Sequence, residues 1–260
     1  MQSIIPITVV SGYLGSGKTT LIKHILKCKE SKRIGIIVND FAEINLDEQT
    51  LLKDPFFTAQ DQIISLKDGS ISGRLREQLV EAVYKMAASQ EVDVILIEST
   101  GIGQPDKIAK ALSKGGTDKG QQLSEVARLD TNVTIVDGFR LLQQFSPENG
   151  QFDEDYTESN LLIINQIEFC DVLIFNKTDL LEEKDKTELI CLVKEIQPNT
   201  AFYETQFSQV TIQSVIHTKR FDEKQTIKQF DQVNRYEKNS ENELGIESFV
   251  YRRREPFHPE

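Results

Sequence analysis

Residues 12–19 read Gly-Tyr-Leu-Gly-Ser-Gly-Lys-Thr, which matches the pattern G-x-x-x-x-G-K-[ST] at every fixed position. Glycines at these positions allow the backbone to wrap closely round an oligophosphate, so that consecutive N–H groups point inward. An apolar run at residues 4–10 precedes the octapeptide, and apolar residues at helical spacing follow it. A chance glycine turn before a helix is the alternative, and the order of strand, loop and helix argues against it.

Each residue type in this loop has a predicted role in holding phosphates. The Lys18 ammonium would reach the outer phosphates as a point charge, and the Thr19 hydroxyl would ligate Mg²⁺. The helix that starts here would offer its positive end to the same anion. Lys18 is also a candidate catalytic residue. We expect nucleotide-binding residues at Gly12, Leu14, Gly15, Ser16, Gly17, Lys18, Thr19 and Thr20.

Strand-like and helix-like segments alternate through most of the chain. Apolar runs predict strands at residues 4–10, 33–38, 62–66, 92–97, 133–136 and 172–175. Helices are predicted after the phosphate loop, at residues 75–83, after Pro105 and at residues 189–196, and the acidic residues 146–160 are expected to form a surface loop. This alternation predicts an α/β fold with a mostly parallel central sheet and helices on both faces. Ligands of such sheets bind beyond the carboxyl ends of the strands.

A second motif, Asn176-Lys177-Thr178-Asp179, follows the strand at residues 172–175 and fits the N-K-x-D pattern of guanine readers. The Asp179 carboxylate can accept from N1–H and from the exocyclic amine of guanine, whereas adenine offers no donors on that edge. A buried acceptor left unpaired is costly, so such a site can discriminate by roughly 10⁴–10⁵. Asn176 would bond the base and tie this loop to the phosphate loop. Lys177 completes the predicted nucleotide contacts of the motif.

The third motif, Glu98-Ser99-Thr100-Gly101, follows the strand at residues 92–97. An acidic residue at this place commonly holds Mg²⁺ through water or orients the attacking water. Glu98 is therefore a candidate catalytic residue and, with Thr19, a candidate Mg²⁺ ligand. Gly101 would bring its N–H close to the γ-phosphate. A glutamate that faces solvent at the end of a strand is the alternative, and the nearby phosphate loop favours the functional interpretation.

Composition narrows the class of protein. The formal net charge of −11 over 260 residues argues against a nucleic-acid or anionic-membrane binder, because phosphate backbones demand clustered Lys and Arg. Neither a signal peptide nor an apolar run of roughly 18–20 residues is present, so we expect a cytoplasmic protein. The three cysteines stand far apart and no disulfide is expected. Cys170 and Cys191 are expected to be small core residues.

Together these motifs resemble the CobW family of P-loop GTPases, the zinc-regulated metallochaperone-like proteins. The resemblance extends across nearly all of the chain and rests on residues 11–20, 37–43, 96–101, 166–172 and 176–179. It implies binding of GTP or GDP with Mg²⁺, slow GTP hydrolysis, and a metalloenzyme client that receives Zn²⁺ or Co²⁺. By the same resemblance, Asp40 and Glu43 lie in the first switch segment, near Mg²⁺ and the metal cargo. Related P-loop GTPases often dimerise across the nucleotide, which implies a homodimer by analogy of fold alone.

The chain departs from the family pattern in one motif. Family members usually carry Gly-Cys-x-Cys-Cys after the third strand, where thiolates hold the transferred metal. The aligned segment, residues 68–76, reads Asp-Gly-Ser-Ile-Ser-Gly-Arg-Leu-Arg and has no sulfur. Neutral serine hydroxyls are poor Zn²⁺ ligands, and His24, His217 and His258 show no ligand spacing. We therefore expect the nucleotide chemistry without the usual zinc site.

Three regions are expected along the chain. Residues 1–218 would form the P-loop GTPase domain, and residues 219–244 a polar linker without clear periodicity. Residues 245–260 resemble the start of the family's smaller C-terminal domain, of which this sequence contains almost nothing else. The resemblance thus predicts a truncated gene product or a fragment, in which client recognition would be reduced.

Three functions remain open at this point. The first is a GTPase of low turnover, since the three motifs contain no arginine. The second is a GTP-dependent switch without metal transfer, in which the nucleotide sets the conformation of residues 39–50 and 98–105 for a protein partner. The third is a decayed, truncated paralogue. An ATP-using P-loop protein is a further alternative, against which Asn176 and Asp179 argue.

Overall fold

The structure, a computed structural model, describes residues 3–39, 46–66, 74–113, 115–117, 120–145 and 154–222. The strands within them are β1 (Ile5–Ser11), β2 (Ile34–Asn39), β3 (Gln62–Leu66), β4 (Val94–Glu98), β5 (Ala127–Asp137), β6 (Val172–Asn176) and β7 (Ala201–Glu204). The α-helices within them are α1 (Lys18–Cys28), α2 (Leu46–Leu52), α3 (Arg74–Ala88), α4 (Pro105–Ser113), α5 (Gly138–Phe145), α6 (Glu154–Glu168) and α7 (Glu183–Ile196).

The seven strands form one sheet in the order β3-β2-β4-β1-β5-β6-β7. Every neighbouring pair is parallel, so the predicted α/β fold is confirmed and the sheet is parallel throughout. All carboxyl ends therefore lie at one edge of the sheet. The three motif-bearing loops follow β1, β4 and β6, and this edge brings them together. No helix among the described residues is long and apolar enough to cross a membrane.

Helices cover both faces of the sheet. Every residue of β1, β2, β4 and β6 is buried, which explains why these strands read as continuous apolar runs. The two faces of β6 show the arrangement. Val172 and Ile174 share a cluster with the apolar residues of α1, while Leu173 and Phe175 pack with residues of α5, α6 and α7.

Three helices and one strand were not predicted from the sequence. The acidic segment 146–160 is a helix from Glu154 onward, so the predicted surface loop is wrong for that half. The apolar residues that bury α6 come only later, at Leu162, Ile163 and Ile167, which hides its start among acidic side chains. β7 is short and only half buried, and so it lacks an apolar run. Helices α2 and α5 are also short, with 7 and 8 residues.

Of the two cysteines predicted to lie in the core, only one is buried. Cys170 is buried as predicted, and desolvation raises the pKa of its thiol to about 12. Cys191 is exposed on α7, so its assignment to the core is wrong. A cysteine beside apolar neighbours in a helix is buried only if it faces the sheet, and the buried face of α7 is formed by Leu189 and Val193. No disulfide joins the three thiols.

A buried ion pair fastens α1 to the sheet. The Asp61 carboxylate accepts from Lys29 Nζ, from the Ile34 N–H at 2.9 Å, and from the N–H and hydroxyl of Thr58, both at 2.8 Å. Desolvation would raise the pKa of this carboxyl, but the hydrogen bonds outweigh it and the pKa lies below its usual range. The pair thus joins the end of α1 to the starts of β2 and β3.

A second fastening joins β5 and β6 at the opposite edge of the sheet from the motifs. The Asp171 N–H donates to the Asn132 carbonyl at 2.9 Å, and the Asn132 N–H donates to the Asp171 carboxylate at 2.7 Å. Desolvation raises the pKa of this carboxyl to about 6, against the opposing effect of the Asn132 hydrogen bond. The charge of Arg220 also opposes the rise in this pKa, while the charges of Asp130 and Asp222 add to it. The ionised carboxylate is therefore costly to the fold at neutral pH.

Replacing Asp61 with Asn should lower the free energy of unfolding by about 3–5 kcal/mol, because the buried Lys29 ammonium loses its counter-charge. Urea denaturation at pH 7 measures this change. The matched control is Glu188→Ala, which removes a solvent-exposed pair with Lys184 (N···O 4.0 Å) and should cost at most about 0.5 kcal/mol. Equal costs for the two variants would contradict the role given to the buried pair.

The Asp171→Asn variant should change the pH dependence of stability. The folded pKa exceeds the unfolded value of 3.8, so the native chain loses stability relative to this variant as pH rises from about 4 through about 6. The difference between the two unfolding free energies should shift by about 1–3 kcal/mol between pH 4 and pH 7.5. Urea titrations at both pH values test it, with Glu188→Gln as the control that should show no such shift. A flat difference would contradict a raised pKa at Asp171.

Candidate functional site

The loop between β1 and α1 depends on two glycines with positive φ. Gly12 has φ 143° and Gly17 has φ 117°, conformations that side chains disfavour. A Cβ at Gly12 would lie 2.6 Å from Ser16 Oγ, and one at Gly17 would lie 2.6 Å from Ser208 Oγ. Only glycine fits either place. The backbone is therefore closely packed at both ends of this loop, at the glycines that the motif fixes.

Lys18 and Thr19 begin α1 at the centre of this edge. The Lys18 ammonium donates to the carbonyls of Gly12 at 2.9 Å and Tyr13 at 3.3 Å, so it lies over its own loop. The Thr19 hydroxyl donates to Glu98 Oε1 at 2.9 Å. Glu98 ends β4 and is only 2% exposed. A hydroxyl beside a buried carboxylate is a pair of hard oxygen ligands, and these residues fit a Mg²⁺ ion.

Asn176 connects three loops through its side-chain amide. Its Nδ2 donates to the Ser16 carbonyl of the phosphate loop at 2.8 Å. Its Oδ1 accepts from the Thr205 hydroxyl at 3.1 Å and from the Ser208 N–H at 2.9 Å. Asn176 is 2% exposed. The N-K-x-D segment is therefore hydrogen-bonded directly to the G-x-x-x-x-G-K-T segment, although 160 positions separate their residues in the chain.

The remaining residues of the N-K-x-D segment lie beside Asn176. Lys177 adopts the left-handed conformation with φ 62°, and its ammonium donates to Asp137 Oδ2 at 2.5 Å. Asp179 lies in the short 3₁₀ helix Thr178–Leu180 and is exposed. Because β1 and β6 are parallel members of one sheet, Asp179 and Lys18 both lie beyond the same edge.

The loop after β7 belongs to this site and was missed in the sequence. Its residues reach Asn176 as described, and the Ser208 hydroxyl also donates to the Gly17 carbonyl at 3.2 Å. Phe207 and Ser208 both have φ 53°, an uncommon conformation for side-chain-bearing residues that clusters at functional sites. Phe207 is 68% exposed. The short segment Thr-Gln-Phe-Ser carries no recognisable pattern, and only its position after a parallel strand could have indicated a role.

The loop that follows Glu98 packs directly on the phosphate loop. Ser99 donates its N–H to the Val10 carbonyl at 3.0 Å. Gly101 lies so close to Leu14 that an added Cβ would meet Leu14 Cγ at 2.5 Å. The third predicted motif is therefore in contact with the first, and a side chain at position 101 would separate them.

The other predicted site residues are placed as follows. Leu14, Gly15 and Thr20 are exposed along the rim of the phosphate loop, and Ser16 is fully buried within it. Asp40 and Glu43 lie outside the described residues, as does the segment 68–73 of the altered cysteine motif and the predicted linker beyond residue 222. Within the part of the chain that the structure describes, no three His, Cys, Asp or Glu side chains are grouped so as to hold a metal ion.

One pair of soft ligands escaped the sequence analysis. His24 and Cys28 are four residues apart on α1, and their Nε2 and Sγ atoms lie 3.9 Å from each other. The same His24 nitrogen lies 2.7 Å from the Val210 carbonyl. The helical spacing was the available signal. With two side chains only, this pair is not a structural zinc site, which uses four ligands.

The family model described as CobW/HypB/UreG, nucleotide-binding domain, matches residues 6–204. This range contains all three motif-bearing loops and the strands that precede them, apart from the first residue of β1.

Three curated relatives are similar to the chain. Zinc-regulated GTPase metalloprotein activator 1 of Dictyostelium discoideum is 30% identical, with 98% of this chain and 58% of that protein covered. The protein of the same name in Saccharomyces cerevisiae is 27% identical, with 84% and 52% covered. The zinc chaperone CobW of Pseudomonas aeruginosa is 28% identical, with 68% and 50% covered. The chain thus spans about half the length of the curated relatives it matches.

Among solved structures, a Zn(II)-bound triple mutant of the YjiA GTPase is similar in fold. Its TM-score is 0.59 at 21% sequence identity, with 85% of this chain and 63% of that chain covered. At this identity the similarity establishes the fold alone.

Proposed function

The chain belongs to the CobW/HypB/UreG family of nucleotide-binding domains, and from that membership we propose that it binds GTP and Mg²⁺ and hydrolyses GTP slowly. The observation that carries the proposal is the hydrogen bond from Asn176 to the Ser16 carbonyl. It joins the segment that fits the N-K-x-D pattern to the segment that fits the phosphate-loop pattern, and a guanine nucleotide is a ligand that would use both.

The described residues divide the work of binding. Backbone N–H groups of residues 14–19 and the Lys18 ammonium would hold the phosphates, so Lys18 would exchange its present carbonyl acceptors for phosphate oxygens. The Asp179 carboxylate would accept from the guanine edge. Thr19 and Glu98 would hold Mg²⁺, which when bound neutralises charge on the phosphate oxygens. Alternatively, Glu98 would orient the attacking water.

Low turnover follows from the groups that the motifs lack. Catalysis of phosphoryl transfer rests on positioning and on stabilising charge, and an arginine supplied by a partner commonly provides a large part of it. The segments 12–19, 98–101 and 176–179 contain no arginine. We expect a metalloenzyme client or a second copy of the chain to accelerate hydrolysis, with the protein located in the cytoplasm.

A second candidate function is a GTP-dependent switch that no longer transfers metal. The absence of sulfur from residues 68–76 favours it, because thiolates are the expected ligands of a transferred zinc ion. In this case hydrolysis only resets the conformation recognised by a protein partner. A decayed paralogue is the least supported alternative, since a drifting gene would lose the interlocked contacts of Asn176 as readily as it loses cysteines.

Nucleotide binding tests the main proposal. The native chain should bind GTP and GDP and should discriminate against ATP, and Lys18→Ala should weaken GTP binding about 100-fold or more because a charged contact is lost. Equilibrium titration with fluorescent nucleotides measures both. Undiminished GTP binding by Lys18→Ala would refute the phosphate assignment.

The same titration tests selection of the guanine base with one variant and one matched control. Asp179→Asn places an amide N–H against the guanine donors, so affinity for GTP should fall while affinity for xanthosine triphosphate, which carries a carbonyl there, should rise. Glu188→Gln changes an exposed carboxylate far along α7 and should alter neither. Equal GTP affinity for native and Asp179→Asn chains would contradict guanine selection.

A zinc titration separates metal transfer from the switch. Competition with a chromogenic chelator should show no stoichiometric site of sub-nanomolar affinity in the native chain, because serine hydroxyls replace thiolates at residues 70 and 72. The triple change Ser70→Cys, Ser72→Cys and Gly73→Cys restores three thiolates at family spacing and should create such a site. Tight binding by the native chain would instead favour a metal-carrying function, and His24→Ala would then show whether the His24–Cys28 pair contributes.

A further inference from the structure

Gln166 is a buried amide on α6 to which none of the nucleotide chemistry assigns a role. It is 1% exposed and begins the segment Gln-Ile-Glu-Phe-Cys-Asp-Val that the sequence analysis singled out. Its backbone carbonyl accepts from the hydroxyl of Thr134 at 2.7 Å. Thr134 is itself buried on β5, paired in register with Ser11 of β1. This end of α6 is therefore fixed to the sheet next to the start of the phosphate loop.

The side chain of Gln166 points to a different part of the site. Its Nε2 donates to the Gly103 carbonyl at 3.0 Å and lies 3.5 Å from the Gly101 carbonyl. Both carbonyls belong to the turn after Glu98, which the Gly103 N–H closes by donating to Thr100 O at 2.9 Å. One buried amide thus faces two carbonyls of the loop predicted to approach the γ-phosphate.

The same loop is held from its other side by the phosphate loop. Gly101 packs against Leu14 with no space for a Cβ, as described above. The phosphate loop also approaches α6 directly, because Tyr13 lines a small pocket together with Gln166 and Arg140. The Arg140 guanidinium stacks on the Tyr13 ring at 4.1 Å. The loop 99–103 therefore lies between residues 13–14 and α6, in contact with both.

We propose that Gln166 is a positioning residue that sets the conformation of the loop 99–103 and thereby couples the γ-phosphate to α6. The inference rests on the proposed GTP binding and adds that α6 responds to the γ-phosphate. A displacement of Gly101 toward a γ-phosphate must carry Gly103 with it, since the turn closes on itself. It must then either stretch the Gln166 hydrogen bond or move α6. A nucleoside diphosphate makes no such demand.

An amide is the side chain that this place requires. Carbonyl oxygens need a donor, and a buried carbonyl left without one costs free energy. Leucine is apolar and one carbon shorter than glutamine, and it offers no N–H. Glutamate offers only acceptors when ionised, and its charge would be buried beside two carbonyl oxygens.

The first test needs no nucleotide. Gln166→Leu in the full chain should speed amide hydrogen exchange of the loop 99–104 by about tenfold, because its anchoring bond is gone. The matched control is Thr134→Val, which removes the other hydrogen bond of the same residue and should lower the melting temperature without loosening the loop. Unchanged exchange in Gln166→Leu, or equal loosening in both variants, would overturn the inference.

The second test compares nucleotides. Gln166→Leu should keep its affinity for GDP within about twofold and lose about 5–30-fold in affinity for a non-hydrolysable GTP analogue. In the native chain the analogue, but not GDP, should alter exchange within α6, and the variant should lose that response. Equal losses for GDP and the analogue would mark a merely structural role and refute the proposal. If the native chain binds no guanine nucleotide, the proposed function fails, and the exchange test still decides whether Gln166 positions the loop.

Discussion

The side-chain amide of Asn176 is the contact that holds together the loops at the carboxyl edge of the sheet. It is buried at the end of β6, and its nitrogen and oxygen reach the loops that follow two other strands, β1 and β7. In the low dielectric of a buried site, a fully used amide is stronger than its individual bonds suggest, because leaving any partner unpaired carries a full desolvation cost.

The parallel sheet makes this contact possible. Parallel strands place every carboxyl end at one edge, so residues far apart in sequence become neighbours without any special connection. The opposite edge carries the fastenings that hold strands in place, such as the reciprocal bonds between Asn132 and Asp171. The segment from Gln166 to Asp171 spans both edges, since its first residue faces the loops and its last residue begins the strand pairing. The first residue of this short segment thus contacts the loop after β4, and its last residue stabilises the pairing of β5 with β6.

The fold and the three motif-bearing loops could be predicted from the sequence for a physical reason. Fully buried strands must be continuously apolar, and phosphate loops must contain glycine where φ is positive, as at Gly12 and Gly17. Such requirements are local and leave a visible pattern. The role of Ser208 is not local, because it depends on where a half-buried strand of four residues happens to end. Helix α6 was hidden for a related reason, since its first residues are acidic in sequence and its buried apolar residues come only from Leu162 onward.

The position of Lys18 has a consequence for how quickly a ligand is accepted. The Lys18 ammonium donates to the carbonyls of Gly12 and Tyr13, so the loop holds this cation in place through its own backbone. If the chain binds GTP as proposed, a phosphate would replace carbonyl oxygens around a cation that is already in place. Little of the loop would then have to become ordered on binding, and we expect association to be rapid.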